Sequence, residues 1–527
     1  MALNNVTINQ TQGTSGRTGA GFDFYSGIIF YGTAPSVAGK WASSADSPVI
    51  KYQQMTSYGD AASAGIIPFT DNTASTSTLL LTAAASGAGF IIKITSTEPT
   101  PNGGSNVVTL CSYTTQSGDT VEATLGANLT ATINANTITT GYSASFNAGT
   151  ETITITAPKS KGISLNTGTP YAFIAGGSSA AVTITQNVVA GTASEYALWD
   201  YHISEYFRMN ADGNLFVGII SATSARNEMN TLQKVAQSKL RQIGIFDTVQ
   251  LASDGSTSIS KVLECQTAAL LSQPTAPYSV LFQPNIFVVS DLSVLHDQNL
   301  NTANKVNLLL SQDGNAYGAQ LFVVSGQTVG NIGAALGALS ASRVSSSWAQ
   351  PISMFNLSDG TENEVAAFGN GQLASAVSSG LQTQLDNYRY TFFRKFGDTV
   401  TGTYFTDNKC CIKFSSDYAF INDNRVSDKV SRICYSTLVP KLASELIFNT
   451  DGTLSTYAIS SFETDVKSAI EAGMITGYGN MPLISGVGVS IDPSQPVRQT
   501  SNLTINVTIV ENGIARNITV NIGFGTL

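Results

Sequence analysis

The chain has 527 residues, a formal net charge of −9 and only 12% charged side chains, whereas 42% of its residues are hydrophobic. This length predicts about three domains of ordinary size, and the hydrophobic fraction argues against a disordered chain. The acidic balance argues against a nucleic-acid groove, because phosphate binding requires clustered Lys and Arg. We therefore expect packed β-rich structure and no direct nucleic-acid partner.

Export and membrane insertion are not indicated by the sequence. The first residues, Met1–Gly16, lack the basic and apolar regions of a secretion signal. The longest apolar run, Leu79–Ile92, is too short and too rich in Ala, Gly and Thr to span a bilayer. The five cysteines are odd in number and lack CxxC spacing, so we expect buried, reduced thiols and synthesis in a cytoplasm.

The distribution of arginine indicates an inserted module. No arginine occurs between Arg17 and Arg208, whereas ten occur from Arg208 to Arg516. The arginine-free stretch from about Asn72 to Gly191 contains strand-like runs separated by Gly, Asn and Ser clusters. We therefore expect a β-rich inserted domain there.

One helix is predicted inside this insertion. Apolar residues recur every four positions at Val121, Leu125, Leu129 and Ile133. Asp119 followed by Glu122 resembles a capping box. The pattern favours a small α+β domain, and an immunoglobulin-like sandwich is the alternative.

After Tyr201 the pattern changes to strands that alternate with helices, which is typical of a sheet covered by helices. Buried strands are predicted at Leu215–Ile220, Ile286–Val289 and Gln320–Val324. Helices are predicted at about Asn227–Gln242, Ser258–Leu271 and Asn301–Leu310.

The carboxy-terminal third is predicted to be mostly helical before its last strands. A long helix is predicted at about Leu373–Phe396, a strand–loop–strand at Gly402–Ile421, and a helix at about Asn424–Leu446. Pro440 should kink that last helix or mark its end. Ser460 and Glu463 form a capping-box pattern ahead of a final helix. The predicted inner face of the final helix consists of Phe462, Val466, Ala469 and Ile470.

The last residues predict a β-hairpin. Apolar side chains alternate with polar ones from Leu503 to Ile509, and again from Ile518 to Phe524. The turn between them contains Asn512-Gly513, which is the strongest short-range hairpin signal. The second strand either completes the chain's own sheet or pairs with another chain by strand addition.

Residues that suggest chemistry occur without the required spacing. The two histidines, His202 and His296, lie outside any HExxH motif, and no GxSxG elbow is present. Gly326, Gly330, Gly333 and Gly337 open an Ala-rich helix, but they do not form GxGxxG. We predict no catalytic, cofactor-binding or metal-binding residues, and we expect the glycine-rich helix to pack closely on the sheet.

Two further groups of residues, one aromatic and one acidic, are interpreted as structural rather than functional. Five aromatic residues favour a buried helix end or a subunit contact over a stacking platform: Tyr388, Tyr390, Phe392, Phe393 and Phe396. Four aspartates lack calcium-loop spacing and are interpreted as solvated turns and caps: Asp407, Asp417, Asp423 and Asp428.

Several segments of the sequence resemble contractile phage tail sheath proteins. The motifs that carry the resemblance are Gly402–Asp407 (GTYFTD), Ser416–Tyr418 (SDY), Arg425–Lys429 (RVSDK) and Arg432. The stretch from Val6–Ile8 to Gly27–Gly32 looks like the sheath amino-terminal arm and first strand. Val329–Ser342 with Val344–Ala349 is similar to the Ala/Gly helix and following segment of the sheath core. The resemblance does not cover the arginine-free insertion.

The resemblance implies an α+β or α/β multidomain chain, with a sheath core of mixed sheets covered by helices, extended terminal arms and a β-rich α+β inserted domain. The boundaries that follow are 1–71 for the arm and start of the core, 72–191 for the insertion, 192–395 for the core, and 396–527 for the carboxy-terminal domain. Because sheath insertions point outward, the inserted domain should decorate the surface, with capsule or host glycans as candidate ligands.

The implied function is that of a structural subunit without enzymatic activity. Sheath subunits form stacked rings or a helical tube around an inner tail tube, and contraction drives the tube through a host envelope. The implied partners are further copies of the chain, the inner tube protein, and the baseplate and tail terminator proteins. The implied location is a virion tail that is assembled in the host bacterial cytoplasm.

The resemblance also implies which residues make contacts in the assembly. Terminal arms pair with neighbouring subunits, which indicates Leu3, Val6, Ile8, Ile518, Val520, Ile522 and Phe524. The final helix is the candidate for contact with the tube, through Glu463, Asp465, Lys467 and Glu471. A sheath of a bacterial contractile injection system is the alternative, and a β-rich surface adhesin is an alternative of another class.

Overall fold

The computed structural model describes residues 23–520, with internal gaps. The gaps are 45–48, 69–73, 82–84, 86, 100–104, 159–169, 177–183, 190–194, 222–225, 252–255, 274–275, 288–291, 313–330, 359–366, 369–373, 397–399 and 517. Leu3, Val6, Ile8, Ile522 and Phe524 therefore lie outside the described residues. The strand predicted at Gln320–Val324 also lies outside them.

The first part of the chain contributes three strands and a short helix. They are β1 (Tyr25–Tyr31), β2 (Ala42–Ser43), β3 (Lys51–Met55) and α1 (Gly59–Ser63). Seven strands and two helices follow in the region predicted to be an insertion. They are β4 (Thr76–Leu81), β5 (Ile91–Pro99), β6 (Ser105–Thr114), α2 (Glu122–Ala135), α3 (Thr137–Thr140), β7 (Ser143–Asn147), β8 (Thr152–Thr156), β9 (Tyr171–Gly176) and β10 (Ile184–Val189).

Strands then alternate with helices. These elements are α4 (Glu195–Met209), β11 (Asn214–Ile220), α5 (Glu228–Val235), β12 (Gln242–Leu251), α6 (Ser256–Leu271), β13 (Ser279–Phe287), β14 (Val306–Leu309), β15 (Ser311–Gln312) and α7 (Ile332–Ala341). The remaining elements are β16 (Ala367–Phe368), α8 (Ser379–Asn387), β17 (Tyr390–Thr391), β18 (Phe393–Arg394), β19 (Tyr404–Phe405), α9 (Ile421–Leu438), α10 (Thr456–Met474), β20 (Ile484–Ser490), α11 (Val497–Thr500) and β21 (Asn506–Glu511).

The largest sheet has eight strands in the order β17-β14-β13-β12-β1-β11-β3-β2. Its strands from β17 to β11 run parallel, and β3 and β2 continue it antiparallel at one edge. Apolar side chains cover both faces: α4 and α7 contribute to the core on one face, and α5 and α6 to the core on the other. Burial on both faces explains why these strands read as continuous apolar runs.

The glycine-rich helix α7 packs closely, as predicted. A Cβ atom on Gly333 would lie 2.0 Å from the carbonyl oxygen of His202, and one on Gly337 would lie 2.6 Å from that of Tyr206. Both contacts are with helix α4. On the sheet side, a Cβ atom on Gly244 of β12 would lie 3.0 Å from Ile332. Small residues thus allow α7 to approach both its neighbouring helix and the sheet.

The region from β4 to β10 has its own hydrophobic core. A four-stranded sheet of order β10-β4-β8-β7 and a three-stranded sheet of order β6-β5-β9 contribute to it. Helix α2 adds Leu125, Leu129 and Ile133, all fully buried. The predicted helix is therefore confirmed, but its capping box is wrong. The Asp119 carboxylate instead accepts hydrogen bonds from the Gln116 N–H, the Tyr113 hydroxyl and the Asn128 amide.

Two predicted helices are wrong because strand pairing prevails over the local pattern. Residues predicted as the helix Asn301–Leu310 contain β14, whose four residues are buried beside β13. Within the helix predicted at Leu373–Phe396, the only α-helix among the described residues is α8, and β17 and β18 follow it. Arg389 has a φ of 73°, which ends the helical stretch, and Tyr390–Thr391 then pairs with β14. A short apolar run does not distinguish a buried strand from a buried helix.

Other boundaries move by a few residues. Helix α5 ends at Val235 rather than near Gln242, because Gln237 and Ser238 have positive φ values. Strand β13 covers Ser279–Phe287, so it begins well before the strand predicted at Ile286. Pro440 does mark a helix end, since α9 stops at Leu438 and a 3₁₀ turn follows at Val439–Lys441. No helix among the described residues is long and apolar enough to cross a membrane.

The fold is thus a mixed α+β arrangement with several sheets, as the sequence predicted. The positions of the four predicted domain boundaries remain predictions. What bears on function is the carboxy-terminal part, where α9 and α10 pack against β20 and β21 in a separate hydrophobic core.

Candidate functional site

The last described strand pairs with an earlier segment than predicted. Strand β21 is antiparallel to β20, with Val507 opposite Val489 and Ile509 opposite Val487. Residues 512–516 and 518–520 are not in a strand. The predicted hairpin between Leu503–Ile509 and Ile518–Phe524 is therefore wrong over the described residues. Strand β20 also alternates, with Val between small residues. It follows α10 in the chain, and it covers the apolar face of that helix.

The sheet formed by β20 and β21 has two outer edges. Among the described residues it contains only these two strands, so each strand has one edge without a strand partner. Helix α10 covers one face through Val466, Ile470 and Met474, which are fully buried. The other face carries polar side chains and exposed apolar ones such as Val510. Open main-chain edges of this kind are templates for pairing with another chain.

The chain beyond β21 is attached to the core by Arg516. The Nε of Arg516 donates to Asp407 Oδ2 at 3.0 Å, and its guanidinium lies 3.4 Å from the centre of the Phe420 ring. Asp407 is buried. Ile518 and Val520, which follow, have exposed fractions of 80% and 73%. The segment is therefore held at Arg516, and it presents alternating apolar side chains to solvent directly afterwards.

Acidic groups surround this attachment. Burial raises the pKa of Asp423 to about 7, with Arg516 acting in the opposite direction and Asp407 adding to the rise. Burial, with the charges of Asp423 and Asp417, raises the pKa of Glu511 to about 8. Burial also raises the pKa of Asp407, which Arg516 partly offsets. Two of these carboxyl groups therefore titrate near neutral pH at the root of the segment.

The reading of the four aspartates as solvated turns and caps is only partly correct. Asp417 is exposed, but Asp407 and Asp428 are buried. Asp428 accepts from Lys305 Nζ at 2.7 Å, and the Lys305 side chain has no exposed surface. No group of three or more metal-binding side chains was found among the described residues.

The charged residues of the Arg-Val-Ser-Asp-Lys motif lie inside the protein. Lys429 Nζ donates to Asp23 Oδ2 at 2.6 Å, and Arg432 Nη2 donates to Asp23 Oδ1 at 3.3 Å. Arg425 donates to Ser342 Oγ at 2.8 Å. These ion pairs join helix α9 to the start of β1. No sequence pattern singles out Asp23 as their partner, although a helix with basic residues on several faces indicates buried charge partners.

The candidate tube-contact residues lie on α10, and all four have partners within the chain. Glu463 Oε1 accepts from the Ile491 N–H at 2.8 Å, so it positions the loop after β20. Asp465 pairs with Lys441. Lys467 and Glu471 are 3.9 Å apart on the exposed face. The helix begins at Thr456 with Ser455 as its cap, so the capping box predicted at Ser460 and Glu463 is wrong.

The predicted inner face of this helix is confirmed. Val466 and Ile470 are fully buried, and Phe462 and Ala469 pack against neighbouring apolar clusters. The aromatic group also behaves largely as expected, since Tyr390, Phe392 and Phe393 are buried, although Tyr390 and Phe393 lie in strands rather than at a helix end.

The two histidines occupy unrelated positions in the structure. His202 is fully buried in α4 between the rings of Phe30 and Phe246. His296 is exposed, and its Nδ1 contacts the Asp297 carbonyl oxygen. Neither position indicates a catalytic group.

A family model described as DUF2586, C-terminal domain, matches residues 417–526. The match therefore contains α9, α10, both strands of the open sheet and the Arg516 segment. No curated protein matches the chain. This match lies in the carboxy-terminal part, which also contains the two outer edges of the β20–β21 sheet.

Proposed function

We propose that this chain is the structural subunit of a contractile tail sheath, which polymerises around an inner tail tube. The observation that carries the proposal is the two-stranded sheet with open edges beside a tethered segment of alternating apolar residues. A strand from a second copy can add to either edge of β20 and β21 through main-chain hydrogen bonds. The exposed Ile518 and Val520 are the side chains that such a donated strand would bury.

The arrangement fits assembly better than catalysis. An exposed apolar segment is an aggregation hazard for an isolated protein, so its retention is explained when another chain covers it. Many weak strand pairings in a lattice add through multivalency. Contraction would then draw on the difference in contact energy between two lattices, without nucleotide hydrolysis. Rigid domains such as the eight-stranded core suit movement as whole bodies.

The proposed partners follow from this function. The inner tube protein would contact α10, with Lys467 and Glu471 as exposed candidates and Asp465 beside them. Baseplate and tail terminator proteins would contact the two ends of the polymer. The region from β4 to β10 would face outward. The same arrangement serves a sheath in a bacterial contractile injection system, which is the second candidate; the adhesin alternative has no specific support.

The decisive experiment is electron microscopy of the purified full-length chain. We expect hollow tubes with a regular lattice. Dispersed monomers under all conditions that favour polymerisation, including co-expression with the tube protein, would contradict the proposal. Contraction of purified particles that requires added nucleotide would contradict the energetic part of it.

A double variant tests the donated strand directly. Ile518→Asn with Val520→Asn should leave a folded monomer and abolish tubes, because the donated strand loses the apolar side chains that it buries. The control is Val107→Asn with Ile174→Asn, which replaces apolar residues of comparable exposure in the region predicted to point outward. Tubes from the first variant would show that this segment is not the link. Loss of tubes in the control as well would show that the effect is not specific to the segment, and it would remove the support for strand donation.

A further inference from the structure

The chain between β21 and Arg516 forms a loop against the amino-terminal end of helix α9. Glu511 is the last residue of β21, and Arg516, at the other end of the loop, donates to Asp407 Oδ2 at 3.0 Å. Electrostatic interactions link Asp423, in the first turn of α9, with Arg516 at one end and with Glu511 at the other. Both ends of the loop therefore lie near Asp423, and we call residues 511–516 the root loop.

One chain of hydrogen bonds connects Asp423 with the anchor of this loop. The Asn422 amide donates to Asp423, and Asn408 Nδ2 donates to Asn422 Oδ1 at 2.8 Å. The Asn408 N–H donates to Asp407 Oδ1 at 2.8 Å, while Asp407 Oδ2 accepts from Arg516. Both asparagines are buried. The carboxyl group beneath the root loop and the carboxylate that holds its far end therefore belong to one network.

The charged groups near the root loop come from several elements. Among the described residues they are Asp386 at the end of α8, Asp407 and Lys409 after β19, Asp417 before α9, Asp423 in α9, and Glu511 and Arg516 on the loop itself. Both cations contact a carboxylate already, Arg516 with Asp407 and Lys409 with Asp386. Burial, opposed by Arg516, raises the pKa of Asp423 to about 7. Burial, with the charges of Asp423 and Asp417, raises the pKa of Glu511 to about 8.

Release of the root loop favours the loss of protons from these two groups. Once the loop lifts from α9, Glu511 and Asp423 regain water, and their pKa values fall towards the ordinary 4.5 and 3.8. The preference for the docked loop is therefore complete below those ordinary values, and it is lost as pH rises to about 7 for Asp423 and about 8 for Glu511. Arg516 opposes this trend by attracting the charged Asp423, but burial is the larger effect.

We propose that the root loop is a proton-controlled latch on the segment that pairs with a second copy of the chain. With Glu511 and Asp423 protonated, the loop is docked and residues 512–516 stay on their own subunit. With both ionised, the loop is released, which adds residues 512–516, or roughly 17 Å of extended chain, to the reach of the exposed Ile518 and Val520. The inference rests on the proposed function, because it concerns when the donated strand becomes available.

Hydrogen exchange of residues 512–516 in the dilute full-length monomer tests the latch apart from assembly. After correction for the intrinsic rate, protection should fall by at least about tenfold between about pH 6 and about pH 8. Asp423→Asn with Glu511→Gln should remove most of this change, because neither site can then ionise. Glu511→Gln alone should reduce it, which keeps the test available if the double variant does not fold. Protection that is independent of pH in the wild type, or an unchanged response in these variants, overturns the latch.

Light scattering and electron microscopy of tube formation test the effect on assembly. The wild type and the control Glu471→Gln should form tubes at least about tenfold faster at about pH 8 than at about pH 6. The double variant should be slow at both pH values, whereas Arg516→Ala, which lacks the anchor, should be fast at both. Equal rates for the wild type at the two pH values overturn the control of assembly, even if hydrogen exchange responds.

The two measurements separate failure of the latch from failure of the proposed function. Tubes whose formation is independent of pH contradict the latch and leave the sheath proposal standing. Absence of tubes from every variant at every pH contradicts the sheath proposal and, with it, the control of assembly. Hydrogen exchange then still decides whether protons release the root loop.

Discussion

Helix α9 and the segment after β21 show two opposite uses of charge and apolar surface. The charged side chains of α9 point inward, and ion pairs tie it to Asp23 and Lys305. The segment after β21 has one charged anchor, Arg516, followed by exposed apolar side chains. The charges of the first region are paired within the chain, so we call it the closed region. The apolar side chains of the second region are exposed, so we call it the open region. The Arg-Val-Ser-Asp-Lys motif thus lies in the part that is tied to the core by buried ion pairs, whereas the exposed segment after β21 carries only a weak alternating pattern.

The largest expected effect comes from breaking the closed region. Lys305→Met leaves Asp428 buried without its lysine, and it should lower the free energy of unfolding by about 3 kcal/mol. Unfolding in urea, followed by tryptophan fluorescence, reports on the core because Trp199 and Trp348 are buried there. Lys467→Met removes a lysine from the exposed Lys467–Glu471 pair, and it should change stability by less than about 1 kcal/mol.

A second variant separates charge from packing in that prediction. Lys305→Met combined with Asp428→Asn removes both charges, and it should recover much of the lost stability because no buried charge remains uncompensated. If the double variant is as unstable as Lys305→Met alone, the side-chain volume rather than the ion pair is what stabilises α9.

The next effect concerns the anchor of the open region. Arg516→Ala should leave the core intact but release the segment after β21, at a cost of about 1–2 kcal/mol because Asp407 is buried and loses its cation. Hydrogen exchange of residues 512–520 in the monomer should become faster. Arg498→Ala, which alters an exposed arginine, is the control. Unchanged exchange in Arg516→Ala would mean that other contacts hold the segment.

The same segment should respond to pH. The pKa of Glu511 is raised from 4.5 to about 8 and that of Asp423 from 3.8 to about 7, so the folded state favours the protonated carboxyls. Their contribution to stability is fully present below the unfolded values, and it is lost as pH rises through about 7 to 8. Because both groups are partly exposed, we expect a loss of about 1–2 kcal/mol. In Glu511→Gln, hydrogen exchange of the segment after β21 should change less with pH than in the wild type. In Glu471→Gln it should change with pH as in the wild type.

Sequence patterns located the elements of this region better than their partners. The helix that includes Val426, Val430 and Ile433 was evident, because its apolar face repeats with helical period. The partner of β21 was not, since alternation gives the face of each residue but not the strand that pairs with it. Asn512-Gly513 favoured a local hairpin, yet β20, which packs against α10, is the actual partner. Long-range contacts, such as Asp23 with Lys429, have no local signature at all.

The smallest predicted effect tests how α10 begins, and hence what supports the open sheet. Ser455 Oγ accepts from the Ala458 N–H at 3.2 Å, so Ser455→Ala should cost about 1 kcal/mol through the loss of the cap. Ser460 lies inside the helix and exposed, so Ser460→Ala should be neutral or slightly stabilising. Urea unfolding of both variants gives the comparison. The opposite order would place the first turn at Ser460, and the sheet of β20 and β21 would then rest on a shorter helix.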